Sequence, residues 1–119
     1  MTITPATNTP NQKVLPKKTR AAMQYMISLT ESTLQAFEAE SNALVMQSNL
    51  DYMDATNTKQ DVNAQYQCAA KEFMARRSEF LANNTASLRE LTQLQQKLSA
   101  AIKLNMTLIE KANQSQEQD

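Results

Sequence analysis

The sequence predicts an all-α fold: an elongated antiparallel bundle or coiled coil of about three long helices, preceded by a disordered N-terminal leader. Three observations carry this. The 119 residues include no Gly, and tight turns, bulges and left-handed caps, on which β-rich domains depend, lean on Gly. Strong helix formers (Ala, Leu, Gln, Lys, Glu, Met and Arg) make up 68 of the 119 residues. Apolar residues step by three and four through three separate segments. Leu, Ile, Val and Phe total only 22, too few for a thick globular core. Net charge is zero, so charge repulsion does not enforce disorder. Long amphipathic helices joined along narrow seams reconcile the two. Such a bundle has small intrinsic stability, and a partner adding apolar contact would stabilise it.

Residues 1–15 hold Pro5, Pro10 and no periodic pattern, which reads as a flexible leader. The bundle domain is expected over 16–113, with Pro16 placed to open the first helix in its first turn. That helix is expected over about 17–48. Its seam is Met23, Ile27, Thr30, Leu34, Phe37, Ser41, Leu44 and Ser48, widened by Met26 and Val45. Three of these eight positions are polar. At 49–52 the register slips: Asn49 or Asp51 caps a second helix, with Asp54 in its first turn, or the residues lie in one continuous helix with a stutter.

The second helix is expected over about 50–82. It carries Val62, Tyr66, Ala69, Phe73, Arg76 and Phe80 at steps of four and three, after a polar opening at 54–61. Glu72 and Arg76 are spaced to pair along it. Asn83-Asn84-Thr85 is the clearest break. Ser87 and Glu90 form a capping box, with Thr85 as the alternative cap. The third helix is expected over about 86–113, and residues 114–119 are expected to fray. Its seam is Leu88, Leu91, Gln95, Leu98, Ile102, Asn105, Ile109 and Ala112, with Leu94, Ala101 and Leu108 on an adjoining flank. Either both stripes are buried in the bundle, or one is left for a partner.

The chemistry is bounded by what is missing. Without His, and with one Cys, neither a Glu-x-x-His di-iron bundle nor a zinc cluster can form, so no metal is expected. Without Gly there is no phosphate-cradling loop, and no cofactor is expected. The pairs Glu31 with Glu38 and Asp51 with Asp54 read as solvated face charges. Cys68 reads as a small packing residue, because no His is present to activate it. No enzyme is expected. The longest apolar run is Ala43 to Met46, far short of a membrane span, so no membrane insertion is expected. The opening residues have no apolar h-region, so no secretory signal is expected, and the single Cys suits a reducing cytoplasm. The basic groups Lys17-Lys18-Thr19-Arg20 and Arg76-Arg77 are short and separate, so no nucleic-acid partner is expected.

Two stretches carry a resemblance. Leu-Thr-Glu-Ser-Thr-Leu-Gln-Ala-Phe-Glu-Ala-Glu-Ser-Asn-Ala-Leu at 29–44 is similar to the opening helix of the FlgN-like flagellar export chaperones. A polar stretch with Lys59 follows, then a basic, aromatic second helix. The closing Leu-Ser-Ala-Ala-Ile-Lys-Leu-Asn-Met-Thr-Leu-Ile-Glu-Lys-Ala at 98–112 resembles that family's last helix, most specifically in Asn105, Leu108 and Ile109. The region 51–61 departs from the family in its Asn, Asp and Thr content, and no aromatic residue follows Phe80.

The resemblance implies a cytoplasmic chaperone that binds helical terminal segments of hook-associated flagellar proteins. It would keep them unpolymerised and present them to components of the type III export apparatus. The partner-binding residues expected on this basis are Leu98, Ile102, Leu108 and Ile109, with Asn105 setting the register. Self-association is possible for such seams. The alternative is a helical coiled-coil adaptor or structural module with no secretion role.

Overall fold

The computed structural model describes residues 13–83 and 85–118. Among them are four helices and no strand: α1 (Thr19–Met46), α2 (Asn49–Ala75), α3 (Arg77–Asn83) and α4 (Thr85–Gln118). The protein is an all-α bundle. It is elongated, with extents of 55 × 40 × 18 Å and a radius of gyration of 16.5 Å, against about 13.5 Å for a compact chain of this length. Helix α1 is the centre: α2 returns antiparallel along one side of it and α4 runs parallel to it along another. No helix among the described residues is long and apolar enough to cross a membrane.

The α1–α2 junction is a true break. Gln47 adopts the left-handed conformation (φ 56°, ψ 38°). Its N–H donates to the Leu44 carbonyl at 3.2 Å and the Ser48 N–H to the Ala43 carbonyl at 3.1 Å, a Schellman pattern that satisfies the last carbonyls of α1. Ser48, extended, precedes the first residue of α2, so the cap is neither Asn49 nor Asp51; Asp51 rather than Asp54 lies in the first turn.

The helix expected over 50–82 is interrupted at Arg76 (φ −106°, ψ 18°). Its N–H is shared between the carbonyls of Glu72 and Phe73, both at 3.1 Å. A straight helix separates residues seven apart by about 10.5 Å. The bend instead stacks Phe73 on Phe80, ring centroids 4.4 Å apart and planes 16° apart. Helix α4 begins at Thr85, which places Ser87 inside it and removes the expected Ser87–Glu90 capping box. It continues to Gln118, through positions expected to fray.

Of the expected leader, residues 1–12 lie outside the described residues, but 13–15 are anchored. One oxygen of Glu72 accepts the N–H groups of Val14 at 2.9 Å and Leu15 at 3.1 Å. Arg76 donates to the carbonyls of Pro16 at 2.7 Å and Lys17 at 2.8 Å. This clamp holds Pro16 outside the helix, which starts at Thr19 rather than 17. Leu15 is buried with Met23, Met26, Ile27, Ala69, Phe73, Phe80 and Leu91. That cluster is the apolar core, and it occupies the end of the bundle away from the α1–α2 turn.

Candidate functional site

Beyond the core cluster the bundle changes character. From 49 to 67, α2 contains no buried residue; its buried residues are Cys68, Ala69 and Phe73. Here α2 is held to α1 by a polar hub on Glu40. Its carboxylate, about 1% exposed, accepts from Thr56 Oγ1 at 2.6 Å, Lys59 Nζ at 2.8 Å and Asn105 Nδ2 at 2.9 Å. Asn105 Nδ2 also reaches Ser41 Oγ at 3.1 Å, and Lys59 Nζ lies 5.3 Å from the centre of the Phe37 ring. One side chain of α1 thus ties α2 and α4. Burial alone would raise the Glu40 carboxyl pKa; the bonds from Lys59, Thr56 and Asn105, with the Lys59 charge, outweigh it and hold the carboxyl below its usual value. The buried threonines of α1 are also satisfied: the Thr30 hydroxyl donates to the Met26 carbonyl at 2.6 Å and that of Thr33 to the Leu29 carbonyl at 2.7 Å.

Past the hub, α1, the turn, α2 and α4 surround an open cavity of about 620 Å³, with Leu44, Tyr52, Leu108 and Ile109 among its walls and Lys111 at its edge. At the same end four large apolar side chains face outward: Val45 (64% exposed), Met46 (76%), Leu50 (75%) and Met53 (63%). Val45 therefore does not widen the α1 seam. It lies at the tip, where no helix is laid over it.

Of the five expected partner-binding residues, two are buried and three are half-buried. Leu98 and Asn105 are buried rather than facing outward, and Asn105 ties α4 to α1 through its amide bonds to Glu40 and Ser41. Ile102 is half-buried between them in sequence. Leu108 and Ile109, half-buried, line the open cavity. The expected carboxylate pairs are exposed at all four positions, Glu31, Glu38, Asp51 and Asp54. Cys68 is buried and not in a disulfide.

Sequence reasoning missed Glu40 and the tip. Glu40 lies beside seam residue Ser41, seven residues after Thr33 and four after Ala36, both buried. That spacing placed it on the inner flank of α1; its charge hid it. The tip residues had a signal as well, since Leu50 and Met53 stand i, i+3 in an otherwise polar stretch. No family model, no curated protein and no solved structure matches the chain.

Proposed function

We propose that the chain is a cytoplasmic export chaperone of the bacterial flagellum. It holds the helix-forming terminal segment of a hook-associated protein at the open end of the bundle until the type III export apparatus takes it. The observation that carries this reading is the apolar tip, Val45, Met46, Leu50 and Met53, beside a cavity lined by Leu44, Leu108 and Ile109. Four such side chains left facing water at one end of a small protein mark a surface meant to be covered. An amphipathic helix suits the shape, offering apolar anchors every three or four residues to a groove between helices. The resemblance at 29–44 and 98–112 supplies the class of cargo. The binding face then runs through Leu108, Ile109 and the tip, with Leu98 and Asn105 behind it as supports.

The test is a titration of the full chain with the terminal segment of a hook-associated protein. Changing Leu50→Asp together with Met53→Asp places two charges in the apolar contact at sites already exposed in the free protein. Affinity should vanish while helix content and thermal midpoint stay near wild type. Binding that persists in the double variant removes the tip from the site. A wild-type chain with no affinity for the segment ends the flagellar reading and leaves the adaptor.

A further inference from the structure

A second groove lies between α1 and α4, about 650 Å³ in volume and independent of the tip. Its α1 wall carries Leu34 and Glu38, its α4 wall carries Lys97 and Leu104, and Ala100 and Ala101 line it between those two. Leu104 is 56% exposed. Glu38 and Lys97 are exposed, and among the described residues neither is in an ion pair. We propose that this groove is a self-association surface, occupied by the same groove of a second copy related by a two-fold axis.

The bonds from Asn105 to Glu40 and Ser41 set residue 105 level with 40–41. Helices α1 and α4 run in the same direction, and each rises about 1.5 Å per residue. Leu34 therefore stands about level with 98–99, and Glu38 about level with 102–103. The α1 wall is thus Leu low and Glu high, and the α4 wall is Lys low and Leu high. The two leucines occupy opposite corners of the groove, and the two charges occupy the other two.

With packed helix axes about 9 Å apart, these corners form a trapezoid, about 6 Å tall on the α1 side and about 10.5 Å tall on the α4 side, with diagonals of nearly equal length. The leucine diagonal then crosses the charge diagonal at nearly a right angle. A two-fold axis lying in the face of the groove, along the leucine diagonal, carries Glu38 of each copy onto Lys97 of the other. It also sets Leu34 on its own counterpart and Leu104 on its own. The leucines then fall on the axis and the charges match within about 4 Å. The helices of the two copies cross almost perpendicularly, with the small side chains of Ala100 and Ala101 near the crossing point. An isologous contact needs a patch complementary to itself, and here the charges and the leucines satisfy that condition together. Net charge is zero, so no general repulsion opposes the approach of two copies.

The prediction is read by sedimentation velocity on the full chain over a wide concentration range. Wild type should self-associate reversibly. Glu38→Lys alone and Lys97→Glu alone each set two like-charge pairs across the axis, and each should weaken association about tenfold or more. Mixed one to one, the two variants meet with opposite charges at both contacts, so the mixture should associate as wild type does. The double variant Glu38→Lys with Lys97→Glu should also recover, and circular dichroism should show unchanged helicity throughout. The proposal is overturned by a wild type that stays monomeric across the range. It is equally overturned by single variants that associate normally, or by weakened variants whose mixture does not recover.

Discussion

Replacing Glu40 by Ala tests whether the polar hub, rather than apolar burial, joins the far half of α2 to the bundle. The change removes an acceptor of three hydrogen bonds, at 2.6, 2.8 and 2.9 Å. It leaves the Asn105 amide with Ser41 at 3.1 Å and Lys59 at 3.4 Å, and the Thr56 hydroxyl without its bond to Glu40. It also strips the counter-charge from Lys59, whose side chain is 18% exposed. Breaking one side of a buried ion pair costs about 3–5 kcal/mol. The lower end applies, because the Lys59 ammonium can swing into water along its flexible stem. A loss of about 3 kcal/mol is a large share of the total stability of a small domain. It should lower the thermal midpoint by roughly 10 °C, followed by circular dichroism and checked by urea unfolding. The pH dependence gives a second reading. Because the folded carboxyl titrates below its usual value, its contribution is fully present above the unfolded value and is lost as pH falls through the folded one. The acid limb of wild-type stability should therefore be steeper than that of Glu40→Gln, which has no carboxyl to titrate. A loss below about 1 kcal/mol in Glu40→Ala, or equal acid limbs in wild type and Glu40→Gln, would refute the hub.

Two further outcomes follow from single side chains. Glu72→Ala should free the Val14 and Leu15 amides, so that their protection from hydrogen exchange falls by at least about tenfold while that of α1 holds, since each charge-assisted bond contributes about 1.5–3 kcal/mol; unchanged protection would show that Leu15 burial alone anchors the segment. Gln47→Gly should raise stability by up to about 1 kcal/mol in urea unfolding, because Gly takes the left-handed conformation without the clash a side chain meets there; a loss would show that the Gln47 side chain stabilises the turn.

Most of the fold was legible because it follows from local sequence. Seam residues Met23, Ile27, Phe37, Phe73, Phe80, Leu91 and Leu98 are all buried, as their spacing required. The misreadings lie where a distant side chain decides a local conformation. Val14 and Leu15 looked like leader because what orders them is Glu72, 58 and 57 residues away. Arg76 looked like one more seam residue because its bend is set by the carbonyls of Pro16 and Lys17 and by Glu79, which it meets at 3.1 Å. The α1–α2 break stayed open in the sequence because the residue that makes it is a Gln in a conformation Gly ordinarily fills. At the candidate site, Leu108 and Ile109 were legible as a stripe. Whether a stripe is free depends on what covers it, and periodicity does not carry that. Leu98 and Asn105 have the same spacing and are covered.

The division of the bundle into two unlike halves bears on how it would work. At the closed end, Met23, Met26, Phe73, Phe80 and Leu91 form a packed apolar cluster with the clamped Leu15. At the open end α2 has no fully buried residue before Cys68, and Thr56 and Lys59 tie it to one carboxylate. Removing one partner of a buried pair is costly although the intact pair adds little over apolar packing, so the open end is held in place without a packed core of its own. Segments with few buried apolar contacts open locally at a smaller cost than the core does. A partner helix that covers Leu50, Met53, Leu108 and Ile109 would supply the burial that this half lacks. It would do so without disturbing the cluster that keeps the chain folded. The low content of large aliphatic residues, which at first suggests only marginal stability, is therefore unevenly distributed: the packed cluster sits at one end, and Val45, Met46, Leu50 and Met53 stay exposed at the other.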